Sequence, residues 1–188
     1  MNHRHSHRYC FKQLDTKAEQ EQVNRLLYRT FVLEVPRYED PGQLSLVDRF
    51  HERNIYFIAV FKQQVCGMIA VHGGPDFSIA KALDDPHKLS ELEGTCLEAR
   101  IFAVEPSHRF GIVFGGLAKQ VFKYATANHF SHILITGLAT KQSMYERMGF
   151  RALGQSTLRG GDYFVPMTMD IDRTPTKILQ DIERFSRR

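Results

Sequence analysis

The chain between residues 96 and 137 contains a strand pattern, a helix pattern and a second strand pattern in close succession. Apolar residues dominate Cys96–Val104 and 132–137, and residues 111–128 between them have helical spacing. This helix begins with glycines at positions 111, 115 and 116, each of which disfavours a helix by roughly 1 kcal/mol relative to alanine. Main-chain amides at a helix start lack intrahelical partners, and the helix dipole adds positive charge there. The pattern therefore predicts a site for a phosphate group.

Two interpretations stay open for the residues around this helix start. Arg109 either adds a charged contact to the phosphate or is a solvated arginine of the turn. Gly111 would let the main chain approach a ligand closely. Gly115 and Gly116 either belong to the same loop or allow the helix to pack tightly on a sheet.

The remaining chain alternates between helix and strand signals. Thr16 and Glu19 form a capping box, which predicts the start of a first helix. Two apolar runs flank a tight Lys-Gln-Gln turn and predict a hairpin. Residues 72–95 are polar and irregular, and loops of this length are often functional. The other predicted elements are hairpin strands at 55–61 and 65–71, short helices at 44–50, 76–83 and 141–148, strands at 150–154 and 163–169, and a last helix capped by Thr174-Pro175.

The length of 188 residues predicts one domain, at 13–172, between two terminal segments. We expect residues 1–12 to form a flexible, basic, His-rich tail. We expect residues 173–188 to form an amphipathic helix. Its apolar stripe of Ile178, Ile182 and Phe185 would face either the core or a second copy of the chain.

Composition narrows the class of protein. With 43% apolar and 24% charged residues, the chain resembles ordinary soluble globular proteins. No apolar run approaches the roughly 20 residues of a membrane span, and the first residues lack the apolar core of a signal peptide, so we expect a cytoplasmic protein. The net charge of +4 favours anionic ligands, but no nucleic-acid motif accompanies it.

Metal binding is not expected. The three cysteines stand far apart without a CxxC pair, so neither a disulfide framework nor a zinc site is indicated. His3, His5 and His7 resemble a chelating tract, but a terminal tract without nearby carboxylate or cysteine partners is more typical of a disordered end.

The order of elements and three local motifs resemble the GNAT superfamily of N-acyltransferases over about residues 16–171. The motifs are a strand that ends in Val104-Glu-Pro, a loop opened by Arg109, and Tyr145-x-x-x-Gly-Phe150. The resemblance implies an α/β (α+β) fold. Its mixed central sheet would have about six to seven strands flanked by helices, and would be splayed between two central parallel strands.

The resemblance also implies an enzyme that moves an acyl group, most simply acetyl, from a CoA thioester to an amine by direct attack. It makes Glu98 the candidate general base, with a pKa raised by partial burial. Strand alternation would place Glu98, Arg100, Phe102 and Val104 on one face, provided that no bulge intervenes. The alternative interpretation of Glu98 is an ion pair, either with Arg100 or across strands. Tyr145 is the candidate proton donor to the leaving thiolate, and the alternative is an apolar face with Met144 and Met148.

Residues for the acyl donor, acetyl-CoA or another acyl-CoA, follow from the same resemblance. A main-chain amide near 102–104 would meet the oxyanion. The superfamily pattern Arg/Gln-x-x-Gly-x-Gly/Ala places Ile112 and Phe114 where small residues are expected. Either the loop is re-registered at Gly111 or the donor phosphates sit less deeply. The donor-binding candidates are Phe102, Ala103, Val104, Arg109, Phe110, Gly111, Ile112, Val113 and Phe114, without a metal.

The resemblance is weaker in the segments that would bind the acceptor. Tyr28-Arg-Thr-Phe31 and Asp48-Arg-Phe50 are similar to segments of acyl-homoserine-lactone synthases and N-acyl amino acid synthases, which take acyl chains from acyl carrier protein. A lactone synthase is disfavoured because its glutamate and arginine are three residues apart, whereas Glu98 and Arg100 are two apart. Candidate acceptor-binding residues are Arg29, Glu34 and Arg100, with ordinary surface charges as the alternative.

The expected partner is a small-molecule amine or amino acid. Acyl carrier protein is the alternative acyl donor. A homodimer would form if the apolar stripe of the C-terminal helix packs against a second copy of the chain. A long-chain N-acyl amino acid synthase using acyl carrier protein, or a catalytically weak module that binds acyl thioesters, are the alternative functions.

Overall fold

The computed structural model describes residues 8–109, 111–174 and 180. Its strands are β1 (Cys10–Gln13), β2 (Ile55–Phe61), β3 (Gln64–His72), β4 (Cys96–Val104), β5 (His132–Leu138), β6 (Arg151–Ala152), β7 (Thr157–Arg159) and β8 (Asp162–Asp170). Its α-helices are α1 (Lys17–Tyr28), α2 (Ile112–Ala127) and α3 (Gln142–Arg147). A π-helical segment, Arg29–Glu34, continues α1, and short 3-10 helices occupy His51–Arg53, Ser78–Ala82, Pro86–Leu89, Pro106–His108 and Ala139–Lys141.

The strands form one mixed sheet in the order β1-β2-β3-β4-β5-β8-β6, and β7 pairs with β8. β1 and β2 are antiparallel, β4 and β5 are parallel, and β5 and β8 are antiparallel. The predicted mixed α/β class is therefore confirmed. The sheet has eight strands rather than six to seven, because β1 and the three-residue β7 are too short for a clear sequence signal.

The described residues divide into two compact units. The first comprises residues 8–70 and 101–120, and the second comprises residues 71–100 and 121–174. Strands β3 and β4 and helix α2 each run from one unit into the other.

In the first unit, α1 begins at the predicted cap. The Thr16 hydroxyl accepts a hydrogen bond from the Glu19 amide at 3.2 Å, and the Glu19 carboxylate accepts one from the Asp15 amide at 3.4 Å. These contacts satisfy two amides at the helix start. The apolar face of α1 then packs into a buried cluster of Val23, Leu26, Leu27, Tyr28, Leu46, Tyr56, Ile58, Val65, Met68, Ala70 and Ala103.

The predicted hairpin is also confirmed. β2 and β3 are joined at Lys62 and Gln63, which have φ angles of 47° and 64°. Two consecutive positive φ angles are typical of the type I′ turn, whose twist matches that of the flanking strands.

Strand β1 corrects the boundary of the predicted N-terminal tail, because residues 10–12 belong to the sheet. Phe11 pairs with Ala59 of β2, and its ring lies where a side chain at Gly116 would be. A Cβ atom on Gly116 would lie 2.2 Å from the Phe11 ring. Of the two interpretations of Gly116, close packing of the helix is therefore the one that applies.

The predicted helix at 44–50 is wrong, since residues 44–48 are irregular and residues 49 and 50 form a turn. The Asp48 carboxylate accepts hydrogen bonds from the Phe50 amide at 3.1 Å and the Asn54 side chain at 2.7 Å. An aspartate that binds the amide two residues ahead stabilises a turn in competition with a helix.

In the second unit, β5 and β8 pair along seven residues, from His132 to Leu138. β4 pairs in parallel with β5 over Cys96, Leu97 and Glu98, which is three of its nine residues. The residues buried in this unit include Leu97, Ala125, Ile133, Leu134, Val165, Met167 and Met169.

The irregular segment 73–95, which we call the excursion, contains the 3-10 helix Ser78–Ala82 within the predicted range 76–83. It lies against Gly154, where a Cβ atom would be 2.9 Å from the Asp84 carboxylate.

Some predictions fall outside the described residues: the tract of His3, His5 and His7, the apolar stripe of residues 178, 182 and 185, and residue 110. Among the described residues, no helix has the length and apolar character needed to cross a membrane.

Candidate active site

Glu98 is buried in the second unit, with a relative exposure of 1%. Its carboxylate accepts four hydrogen bonds. Oε1 accepts from the Ser78 hydroxyl and the Ile79 amide, each at 2.7 Å. Oε2 accepts from the Ser78 amide at 2.7 Å and from Nε2 of His72 at 3.0 Å. Because a carboxylate offers about four lone-pair sites, these contacts use its acceptor capacity fully.

The geometry makes Glu98 the cap of a helix that belongs to another part of the chain. Ser78 and Ile79 are the first residues of the 3-10 helix in the excursion, so their amides have no partner within that helix. A carboxylate from β4 binds them, as an aspartate at an N-cap would.

His72, the last residue of β3, was not selected from the sequence. Its Nδ1 accepts a hydrogen bond from the Gly74 amide at 3.2 Å, so Nε2 carries the proton that is donated to Glu98. The ring stacks on Phe77, with centroids 5.6 Å apart. A polar residue that ends an otherwise apolar strand was the sequence signal for this contact.

The pKa of Glu98 contradicts the prediction. Burial acts to raise the pKa of this carboxyl, but hydrogen bonds from His72 and Ser78 outweigh burial and hold the pKa below its ordinary value. The predicted rise toward neutrality is therefore wrong. The side chain is an ionised anchor in this structure, and an acceptor amine would have to displace one of its four donors.

Tyr145, in α3, packs its ring on the backbone of β5. A Cβ atom at Gly137 would lie 2.5 Å from Cε2 of Tyr145, so the ring occupies space that only glycine leaves free. Phe150 makes an edge contact with the ring at 6.4 Å between centroids. Burial raises the pKa of the Tyr145 phenol, partly offset by a hydrogen bond with the main chain of Leu138.

Glu98 and Tyr145 approach β5 from opposite faces. Glu98 is paired with Leu134, and side chains of directly paired residues share a face of the sheet. Gly137, which contacts Tyr145, is three residues further and faces the other side because successive positions alternate. The structure does not bring these two candidates together.

In the first unit, Arg109 is already paired. Its guanidinium donates to both oxygens of the Glu34 carboxylate, and its Nε donates to the carbonyl of Val104 at 2.9 Å. The pairing lowers the pKa of Glu34 through the hydrogen bonds from Arg109. Arg109 is therefore a partly exposed turn residue whose guanidinium is engaged by Glu34, and its contact with a phosphate stays a prediction.

Arg29 makes a second ion pair with Glu105. The two ion pairs join Arg29 and Glu34, at the two ends of the π-helical segment, to the turn that follows β4. The π-helical segment contributes the cation of one pair and the anion of the other. We call them the double ion pair. All four side chains are partly exposed, so each pair contributes at most about 1 kcal/mol to stability. Arg29 and Glu34 thus contact other residues of the protein in this structure, and their acceptor-binding roles stay predictions.

At the start of α2 the Gly115 amide donates a hydrogen bond to the carbonyl of Gly111 at 2.9 Å. A Cβ atom at Gly111 would meet no atom within 4 Å. In contrast, Val113 is buried against β3, where a Cβ atom at Gly67 would be 2.6 Å from it.

The other candidates for donor binding differ in exposure. Phe102 is 39% exposed and makes an edge contact with Phe114 at 5.5 Å between ring centroids, whereas Ala103 and Val104 are buried. Ile112 is half-buried, and residue 110 is outside the described residues.

Ile101 interrupts the alternation predicted along β4. Its φ angle of 51° is in the left-handed region, which a β-branched residue adopts rarely and at a cost of about 1–3 kcal/mol. The prediction of one face assumed regular alternation, and the left-handed Ile101 breaks this alternation between Arg100 and Phe102. Arg100, which precedes the interruption, is half-buried.

No group of three or more His, Cys, Asp or Glu side chains in the described part of the chain has the proximity to hold a metal ion.

Comparison with solved structures places the fold among GNAT-type acyltransferases. FeeM, an N-acyl amino acid synthase from uncultured soil microbes, is similar with a TM-score of 0.72 and 16% identity, over 88% of this chain and 92% of that one. The acyl-homoserine-lactone synthase LasI has a TM-score of 0.75 and 15% identity, over 93% and 95%. The CoA-dependent synthase BjaI, solved with SAM and isopentyl-CoA, has a TM-score of 0.72 and 19% identity, over 90% and 82%.

These similarities define the fold class as GNAT-like. The family model for the N-acyl amino acid synthase FeeM matches residues 22–170, which are 149 of the 188 residues. The chain therefore belongs to the FeeM N-acyl amino acid synthase family, and it is an enzyme that transfers an acyl group to an amine. Comparison with curated proteins gives no match.

Proposed function

We propose that the protein transfers an acyl group from a pantetheine thioester to the amino group of an amino acid. The observation that carries this proposal is the family match across residues 22–170, since FeeM is described as an N-acyl amino acid synthase. The chemistry joins the amine nitrogen to the thioester carbonyl carbon and breaks the carbon–sulfur bond. The products are an amide and a free thiol.

The proposed acid is Tyr145. A phenol whose pKa is raised by burial stays protonated at neutral pH, so it can give its proton to the departing thiolate. The fixed position of its ring on Gly137 supports this role, because a proton donor must be held in place before the bond breaks.

The proposed donor contacts are main-chain groups first and Arg109 second, because a phosphate must displace Glu34 to reach the guanidinium. The amides at the start of α2 carry the positive end of the helix dipole, and the space at Gly111 leaves them open to a phosphate. We also propose that a main-chain amide near Phe102 meets the oxyanion, because the left-handed Ile101 redirects the backbone at this point.

Glu98 is proposed as an anchor rather than as the base that takes the amine proton. Its four hydrogen bonds and 1% exposure support this change of role. The nucleophile would then be the neutral fraction of the amine, which increases as the pH rises toward the pKa of the amine. After attack the nitrogen gives one proton to solvent water, and the Tyr145 phenolate recovers one proton from solvent.

We propose acyl-CoA as the donor, with acyl carrier protein as the second candidate. BjaI, a relative in fold, is CoA-dependent. The engagement of Arg109 by Glu34 favours the second candidate, because phosphopantetheine on a carrier protein presents fewer phosphates than CoA and needs fewer cations. The acyl chain and the amino acid that the enzyme accepts determine which N-acyl amino acid it forms.

The test is a matrix of acyl donors and amino acids. Acetyl-, octanoyl-, dodecanoyl- and hexadecanoyl-CoA, and the same chains on acyl carrier protein, are each incubated with the twenty amino acids. Amide products are measured by mass spectrometry and thiols by a colorimetric reagent. We expect N-acylated amino acid and thiol in equal amounts. Binding of a donor without any amide product would instead indicate a module that holds acyl thioesters.

A further inference from the structure

The contact between His72 and Glu98 has no part in the proposed transfer chemistry, yet it is among the most buried polar contacts of the second unit. Both side chains are 1% exposed. Burying a charge is costly unless all of its hydrogen bonds are made, and a buried pair is often no more stable than apolar residues of the same size. A fully paired network of this kind instead fixes one geometry.

The network joins three parts of the chain at one carboxylate. β4 supplies Glu98, the end of β3 supplies His72, and the excursion supplies Ser78 and the amide of Ile79. The two contacts on Oε2 and the two on Oε1 fix the carboxylate plane. The beginning of the excursion is therefore positioned by this anion.

The ring of His72 is itself fixed. Gly74 donates to Nδ1, Phe77 stacks on the ring face, and Nε2 donates to Glu98. Both flanking contacts come from the excursion, so the imidazole links its first residues to β4. The titratable group that faces the carboxylate is His72. The 3-10 helix contributes a hydroxyl and two amides, and β5 contributes the apolar Leu134 beside Glu98.

We propose that His72 is a positioning residue for acyl transfer. By donating from Nε2 it holds Glu98 ionised and oriented, and Glu98 in turn holds the excursion in the arrangement that binds the amino acid acceptor. The inference rests on the proposed function, and it names the segment of the chain that selects the acceptor. It assigns no contact with the acyl donor to the excursion.

Two amide substitutions separate this role from simple packing. In His72→Gln the side-chain amide reaches the position of Nε2 and can still donate to Glu98. In His72→Asn the shorter side chain places its amide near Nδ1 and cannot. Glutamine and asparagine are both polar and uncharged, so the two variants differ only in the reach of the side-chain amide. Ser78→Ala is a third variant that removes one donor to the same carboxylate while the ring of His72 stays in place.

The measurement is kcat/KM for the acceptor between pH 8 and pH 5, expressed as the ratio of variant to wild type so that titration of the amine cancels. For His72→Asn we expect a ratio that is constant near pH 8 and falls about tenfold toward pH 5, because a carboxyl with fewer donors is protonated at higher pH. Ser78→Ala should fall in the same direction, and His72→Gln should stay nearly constant.

The Michaelis constants give a second readout. We expect the acceptor KM to rise about tenfold in His72→Asn while the donor KM changes less than twofold. A pH-independent ratio in both His72→Asn and Ser78→Ala, or equal losses in the Gln and Asn variants, would overturn the proposal. So would a rise in donor KM equal to that in acceptor KM.

Failure of the proposed function gives a different result. If the wild-type protein forms no amide with any donor and amino acid, the proposed function is wrong. The kcat/KM ratios of variant to wild type then cannot be measured. The contact between His72 and Glu98 can then still be measured through the ¹³C carboxyl resonance of Glu98, assigned by its loss in Glu98→Gln. A titration midpoint higher in His72→Asn than in wild type and His72→Gln supports the anchoring, and equal midpoints contradict it.

Discussion

The Arg109 guanidinium binds the Glu34 carboxylate through two nitrogens, in a planar, bidentate arrangement that matches the geometry a phosphate would use. Glu34 is thus a protein-supplied anion at the position where the sequence predicted a ligand anion. Since both side chains are about 40% exposed, an incoming phosphate can compete for Arg109 at small cost to folding.

Removing the competing carboxylate should strengthen donor binding. We expect Glu34→Gln to lower the KM for acyl-CoA several-fold and to change the free energy of unfolding by less than about 1 kcal/mol, because the pair is a surface pair. Arg109→Met should raise the same KM. The measurement is steady-state thiol release with varied acyl-CoA at low ionic strength.

Glu21→Gln, on the exposed side of α1, is the matched control for the change in net charge and should leave KM unchanged. A donor KM that rises in Glu34→Gln would show instead that the carboxylate contributes to the site. Equal effects of the two glutamate variants would indicate a general electrostatic influence on an anionic donor.

The glycines at the start of α2 should respond differently to the same substitution. Gly111→Ala adds a methyl group into open space, so we expect a change in unfolding free energy within about 1 kcal/mol but a raised donor KM. Gly116→Ala places a methyl group 2.2 Å from the Phe11 ring and should destabilise the protein by about 1–3 kcal/mol. Chemical denaturation and donor kinetics together distinguish them; a stable Gly111→Ala with unchanged KM would remove the main chain of α2 from the proposed donor site.

Local signals in the sequence were sufficient for much of the fold. The capping box at Thr16, the hairpin turn at Lys62 and the strand Cys96–Val104 each depend on residues close together in the chain. Such features follow from hydrogen bonds and periodicity within a few positions, which sequence patterns report directly.

Contacts between distant residues were not predictable in the same way. The partner of Arg109 is 75 positions away, and Ser78 is 20 positions from Glu98. For Glu98, a single sequence indicates burial, which raises the pKa of a carboxyl, but it does not show the hydrogen bonds from His72 and Ser78 that lower the pKa of this one. Likewise nothing in the pattern of β4 indicated that Ile101 would adopt a left-handed conformation.

The lowered pKa of Glu98 makes a prediction about stability. A carboxyl whose pKa is lower in the folded than in the unfolded state stabilises the fold above the unfolded pKa, which is about 4.3, and this contribution is lost as the pH falls through the folded pKa. We expect Glu98→Gln to lose about 3 kcal/mol at pH 7, because its amide nitrogen faces hydrogen-bond donors. The deficit should stay constant down to about pH 5 and narrow only at more acidic pH.

Urea denaturation of Glu98→Gln and wild type at pH 7, 5 and 4 measures this difference. Glu91→Gln, an exposed glutamate of the excursion, is the control and should differ from wild type by less than about 0.5 kcal/mol. A deficit that widens as the pH falls from 7 to 5 would mean instead that the folded-state pKa of Glu98 is raised toward neutrality, as that of a general base would be.

Tyr145 provides the sharpest test of the transfer chemistry. Tyr145→Phe keeps the ring on Gly137 and removes only the hydroxyl, so we expect folding within about 1 kcal/mol of wild type and a kcat lower by about tenfold to a hundredfold. Because burial raises the pKa of this phenol above about 10, the wild-type rate should show no loss from its deprotonation up to pH 9. Tyr163→Phe, at a position 57% exposed in β8, is the control. If Tyr145→Phe releases thiol and forms amide at the wild-type rate, the leaving thiolate takes its proton from water.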